Sequence, residues 1–289
     1  LESIEIPNNV IEIGGEAFSF CESLSSIWVA DGNEKYDSRD NCNGIIETKS
    51  NTLLLGCKNT KIPNSVTNIG SKAFCGCSGL TELIIPDGVT NIANDAFSGC
   101  DNLTDIQVAD ENEKYDSREA CNGIIETESN TLVLGGTNTI FPESVTSIGA
   151  YAFTDRNLID MVIPQNVESI GVYAFSGCSS LRTILISENV TSIGKYAFYE
   201  CGSLGNIIIP DGVASIESST FSGCSGLMDV LIPSSVTNIG SSAFSGCSNL
   251  VNISVPESVT SIGSSAFSNC SSLTSVKIPK KVTEIESWA

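Results

Sequence analysis

The block Leu-x-x-Ile-x-Ile-Pro-x-x-Val-x-x-Ile-Gly-x-x-Ala-Phe-x-x-Cys recurs along this chain, and nothing else in the sequence restricts its fold as strongly. All nine prolines occupy one place in the block. Nine of the eleven phenylalanines, Phe18, Phe74, Phe97, Phe153, Phe175, Phe198, Phe221, Phe244 and Phe267, occupy another, and from Phe175 onward they follow at intervals of 23 residues. A unit this short cannot bury its apolar face alone, so copies at a fixed period stack on their neighbours as a solenoid. Within each block, Ile-x-Ile alternates with the period of a strand that has one face buried. The proline, which has no N–H to donate, ends that strand. Val-x-x-Ile-Gly predicts a second short extended segment, and Ser-x-Ala-Phe-Ser-Gly-Cys a turn in which glycine supplies positive φ. No stretch suits a helix of several turns.

The whole chain, 1–289, reads as one array of such units with two irregular members. Phe18 to Phe74 and Phe97 to Phe153 each span 56 residues instead of 23. The extra sequence is duplicated, since Val29-Ala-Asp-Gly-Asn-Glu-Lys-Tyr-Asp-Ser38 and Val108-Ala-Asp-Glu-Asn-Glu-Lys-Tyr-Asp-Ser117 lie 79 residues apart. In the first copy Gly44–Thr48 and Asn51–Leu55 predict two short strands around a polar turn. We therefore expect a hairpin at about 29–62 and another at about 108–141, either projecting from a coil or thickening it. Both read as spacers that adjust curvature, with recognition loops as the alternative.

Charge and chemistry narrow the function classes. Fourteen Lys and Arg against 34 Asp and Glu give a net charge of −20, which disfavours nucleic acid and anionic membrane surfaces, both of which need basic patches. No apolar run approaches the roughly 20 residues of a spanning helix, so no direct membrane insertion is expected. Both ends fall within a repeat, and the sequence reads as a piece of a longer protein or a processed one. There is no histidine, which removes the commonest general base, and no phosphate-binding glycine loop is present, so no enzyme is expected. Eight of twelve cysteines fall three residues after a repeat phenylalanine. Their side chains share one direction, which stacks them as buried thiols and does not pair them as disulfides. Cys75, Cys42 and Cys121 leave a disulfide open. Paired CxxC motifs are missing, so neither a metal nor a cofactor is expected. Asp87, Glu143, Asp211 and Glu257 stand one per unit and read as a solvated face and not as a calcium site.

Taken together, these columns, with the Tyr-Asp-Ser-Arg…Cys-Asn-Gly-Ile-Ile-Glu-Thr segments, resemble the BspA-like class of leucine-rich repeat found in surface proteins of gut anaerobes. The resemblance covers essentially the whole chain. It implies a right-handed, β-rich leucine-rich repeat solenoid of 23-residue repeats, with one short parallel strand per repeat, a second short extended segment and little regular helix. It also implies a secreted or cell-surface bacterial protein of a family associated with adhesion to host matrix proteins, host cells or other bacteria. The expected function is a non-catalytic binding module for a protein or glycan; a passive spacer or self-association module is the alternative. Ser187 in the proline column, Glu217 in the glycine column and the shortened Thr154-Asp-Arg-Asn-Leu158 segment depart from the pattern.

Partner contacts are sought where packing does not dictate the residue. The position between the two buried isoleucines is polar near both ends of the chain. In the middle it holds Ile140, Val162, Leu185, Ile208 and Leu231 in succession, which would form a strip of roughly 19 Å at the spacing of strands. Two residues before the phenylalanine, Tyr151, Tyr173 and Tyr196 stand on three consecutive units, where most others carry serine. Aromatic residues with a polar tip are preferred interface anchors. Strand propensity alone and burial by a flanking domain are the competing accounts of the strip.

Overall fold

The computed structural model describes residues 1–289 and divides into two compact units, Leu1–Pro142 and Glu143–Ala289. The second is the more regular. Its outer strands, Asp160–Val162, Thr183–Leu185, Asn206–Ile208, Asp229–Leu231 and Asn252–Ser254, are the Ile-x-Ile segments. They pair in parallel register within two groups, residue for residue one repeat apart. A second row is formed by two-residue strands from the Val-x-x-Ile segments, such as Ser169–Ile170, Ser192–Ile193, Asn238–Ile239 and Ser261–Ile262. The only helices in the chain are two three-residue 3-10 turns, Arg39–Asn41 and Arg118–Ala120. Each unit is thus a β-solenoid of roughly 23-residue coils.

The core is a set of columns running from coil to coil. In the second unit Phe153, Phe175, Phe198, Phe221, Phe244 and Phe267 stack nearly parallel, with ring centroids 5.1 to 5.7 Å apart. The backbone fixes this spacing: Phe175 N–H donates to the Ala197 carbonyl at 2.8 Å, and Phe198 N–H to that of Thr220 at 2.9 Å. Glycine after the isoleucine lets the coils approach, since a Cβ at Gly171 or Gly194 would lie 2.6 Å from backbone of the preceding coil.

Cysteine has a bonding role that the sequence did not disclose. The thiols of Cys201, Cys224, Cys247 and Cys270 donate to the carbonyls of Phe175, Phe198, Phe221 and Phe244, each one coil back, at 3.0 to 3.2 Å. Each of those carbonyls also accepts the backbone N–H of the cysteine in its own coil, so both lone pairs are used. In the shortened segment Arg156 takes the place of the cysteine. It is 1% exposed, and its Nη1 donates to the Thr154 carbonyl at 3.1 Å.

The first unit contains both long repeats. The predicted strands form an antiparallel hairpin, Ile45–Glu47 with Thr52–Leu55, repeated by Gly123–Glu126 with Thr131–Gly135. A third strand, Tyr36–Asp37 or Tyr115–Asp116, pairs with the first strand of each hairpin. These hairpins thicken their coils and do not project. Ile45, Ile46 and Leu53 are fully buried, and Leu53 pairs in parallel with Ile69, which pairs with Ile92. The hairpin's second strand thus joins the row of two-residue strands.

Phe221 is fully buried between rings 5.5 Å away on either side. Phe221→Ala is expected to cost about 3–5 kcal/mol, read as a lowered urea midpoint. A loss below about 1 kcal/mol would show that the stack is not the main support of the core.

Candidate functional site

On the outer sheet of the second unit, side chains alternate between core and solvent. Met161, Ile184, Ile207 and Val230 face inward. Val162, Leu185, Ile208 and Leu231 are 62, 64, 65 and 61% exposed. Val162 lies in register with Leu185, and Ile208 with Leu231, where Ser254 ends the row. Between the two pairs the stack continues through Gly205 N–H, which donates to the Arg182 carbonyl at 3.2 Å. The strip therefore has four members, two on each of two adjoining groups of strands. Ile140 belongs to the first unit, where it is 65% exposed but lies outside any strand, held by its N–H on the Cys121 carbonyl. The reason is local: the hairpin preceding it returns the chain through an irregular Gly-Gly-Thr-Asn-Thr segment, leaving no ladder partner at that position.

Polar residues border the strip. Asp160, Thr183, Asn206 and Asp229 occupy the exposed position two residues before it, and Glu188 and Asp211 lie exposed beyond its other side. Val162, Leu185, Gln165 and Glu188 line an open depression of about 430 Å³. An apolar row with acidic borders results.

The three tyrosines are also brought together. Tyr151 and Tyr173 stack at 4.8 Å, and Tyr173 and Tyr196 at 4.5 Å with their planes 5° apart. Tyr199, which the repeat pattern does not single out, meets Tyr196 edge-on at 5.7 Å. The backbones of Tyr151, Tyr173 and Tyr196 are left-handed, φ 58 to 61°, a conformation that bulky residues rarely adopt. Ser219, Ser242 and Ser265 share it, so the turn itself imposes the conformation. Because the coil spacing matches the stacking distance of aromatic rings, the tyrosines cover one another's faces and offer edges and hydroxyls to solvent. Burial, reinforced by the flanking phenols, raises the pKa of Tyr173.

The long repeats carry a duplicated polar network. Asp37 receives Nε and Nη2 of Arg39 at 2.8 and 2.6 Å, while Arg39 Nη1 donates to Asn51 at 2.9 Å. Asp116, Arg118 and Asn130 repeat it at 2.8, 2.5 and 3.0 Å. Burial pushes both carboxyls up, but the bonds from arginine outweigh it and hold Asp37 and Asp116 below the usual carboxylate range. A depressed carboxylate contributes stability above its unfolded pKa and loses it as pH falls through the native one. The stability difference between the parent and Asp116→Asn is therefore expected to shrink below about pH 4. A difference unchanged from pH 7 to pH 2 would contradict this.

Nothing gathers the cysteines into a metal cluster. None of the twelve is joined in a disulfide. Burial pushes the Cys224 thiol up to about 12, and those of Cys42, Cys77, Cys121 and Cys270 to about 11. These thiols stay protonated at neutral pH, which is the form that donates to carbonyls. At pH 8 a thiol reagent is expected to modify only the half-buried Cys21 and Cys75 quickly, and all twelve after denaturation. Rapid native modification of the column would mean that the coils open.

Solenoid, columns and strip together define a leucine-rich repeat protein, a class whose repeats build extended recognition surfaces. The chain belongs to the BspA type leucine rich repeat family, whose model matches residues 1–43, 45–132, 134–228 and 191–289. It is similar to a leucine rich cell surface protein from Faecalibacterium prausnitzii at 28% identity and a TM-score of 0.61, covering 96% of this chain and 79% of that one. A leucine-rich repeat protein from Bacteroides ovatus shares 27% identity at a TM-score of 0.54, over 98% and 74% of the two chains. Another from Eubacterium ventriosum, 21% identical with a TM-score of 0.62 over 100% and 85%, shares the fold. No match is found among curated proteins. No enzymatic family is indicated, and no helix is long and apolar enough to cross a membrane.

Proposed function

We propose that this chain is a non-catalytic binding module of a secreted or cell-surface protein, and that it takes a protein partner on the outer sheet of its second unit. The observation that carries this reading is the strip Val162, Leu185, Ile208 and Leu231, more than 60% exposed in each member and held in sheet register. A contiguous apolar row on an otherwise polar surface marks an interaction site more often than scattered exposed residues do. Ile84 holds the same outward position in the first unit, 62% exposed, but strand propensity does not explain four apolar members in successive coils of the second unit before Ser254. Acidic borders favour a partner that presents an apolar ridge flanked by Lys or Arg. The tyrosine column belongs to a different face of the coil, and its edges and hydroxyls would serve a separate contact. The resemblance to a named cell surface protein supports the location.

Val162→Ser/Leu185→Ser/Ile208→Ser removes three of the four strip members without touching the core. On an array of immobilised extracellular matrix proteins the variant is expected to bind at least about tenfold more weakly, roughly 1.4 kcal/mol, with an unchanged melting temperature. Equal binding by parent and variant would remove the strip from consideration, and a parent that binds nothing would favour a passive spacer. Light scattering on both forms separates partner binding from self-association.

A further inference from the structure

The first long repeat holds a concave feature that the strip does not involve. Between the outer strand Ser26–Val29 and the 3-10 turn Arg39–Asn41 lies an open depression of about 320 Å³, within the roughly 300–1,000 Å³ range of small-ligand pockets. Trp28 forms one side, 43% exposed. Asp31, Asp40 and Asn41 are exposed on its rim, and Arg39 reaches it from the Asp37 network. Three N–H groups of Arg39 are engaged there, leaving two of the five that a guanidinium carries.

We propose that this depression is a saccharide-binding site for a neutral pyranose, with Trp28 as its platform. A pyranose presents an apolar face of C–H groups and a rim of hydroxyls, each of which both donates and accepts. The indole offers an apolar surface for that face. Asp31 and Asp40 accept, Arg39 donates, and Asn41 does both, which is the mixed set that hydroxyls require. Two rim carboxylates repel uronic and sialic acids. Conversely, the guanidinium of Arg39 disfavours a simple cation such as a lysine side chain, which needs acceptors only.

The duplicated repeat is an internal control. Its framework is the same: Ser117 Oγ donates to the Gly123 carbonyl at 2.7 Å as Ser38 Oγ does to that of Gly44, and Asn122 accepts from Ile106 N–H at 2.7 Å as Asn43 does from Ile27 at 2.6 Å. It also has a depression of similar size, about 330 Å³. The differences lie in the lining and rim: Gln107 stands for Trp28, Glu111 for Gly32, Glu119 for Asp40 and Ala120 for Asn41. Gln107 is turned onto Asp105, with its Nε2 3.1 Å from Oδ1. One copy keeps the frame alone, whereas the other adds an aromatic platform and an amide.

Saturation-transfer NMR of the full chain with the methyl glycosides of glucose, galactose, mannose and N-acetylglucosamine tests this. At least one sugar is expected to receive saturation on its ring protons. Trp28→Gln, which installs the residue of the second copy, is expected to reduce the signal at least fivefold without lowering the melting temperature. Adding Gln107→Trp, Glu111→Gly, Glu119→Asp and Ala120→Asn to that variant is expected to restore it. The triple serine variant of the strip is expected to retain the signal, so this site and the protein-binding reading stand or fall separately. The proposal is overturned if none of the four sugars responds, if Trp28→Gln leaves the signal intact, if the transplanted residues restore nothing, or if the fluorescence of a Trp288→Phe variant, which keeps Trp28 alone, responds to N-acetyl-lysine amide and to no sugar.

Discussion

The structure depends on one constraint, the match between the spacing of parallel strands, about 4.8 Å, and the contact distances of the side chains stacked on them. Aromatic rings lie flat on one another at about this distance, and a thiol on one coil reaches a backbone carbonyl on the next. The phenylalanine stack and the Cys-to-Phe bonds are therefore two results of one geometry. Each coil positions its neighbour by apolar contact, by a main-chain bond from the phenylalanine and by a side-chain bond to it. Nearest-neighbour coupling of this kind is what holds a quasi-one-dimensional protein together.

The same geometry separates residues that carry the fold from residues available for recognition. Once Ile184 and Ile186 are committed to one side of a strand, Leu185 must point to the other, and its neighbours in the adjacent coils must follow. Apolar character at that position adds little to the core. The tyrosine column differs, because there the stacking distance works within the molecule. Tyr173 has its ring covered on both sides, whereas Trp28, whose register partner is Glu5, is 43% exposed and lines the depression of the first long repeat.

Columns were legible in the sequence because each repeats one physical task. The strand, the terminating proline, the buried phenylalanine and the stacked cysteine followed from period and residue type, as did the antiparallel hairpin from two apolar runs around Asn51. What escaped were bonds between groups whose partners are distant in the chain. Cys201 and the Phe175 carbonyl are 26 residues apart. Asn112, one of the asparagines in the long repeats, donates to the carbonyls of Pro86 and Val89 and accepts from the amides of Lys114 and Tyr115, yet in sequence it looks like any loop residue. Tyr36–Asp37 is too short to show a period. Ile140 fits its column in the alignment of repeats, but the return of the hairpin removes it from the sheet. Arg156 reads as a missing cysteine, although it fills the same buried position.

Fixed coil spacing also makes the outer sheet a graduated scale. Val162, Leu185, Ile208 and Leu231 can present contacts only at successive steps of about 4.8 Å, and no loop motion can interpolate between them. A partner whose own side chains recur at a commensurate interval engages several steps at once. One with a different interval meets one or two and then falls out of phase. Changing the number of coils would alter how many steps are offered and leave each step unchanged, so the length of the array, and not the detail of any single repeat, sets the size of partner that such a surface can measure.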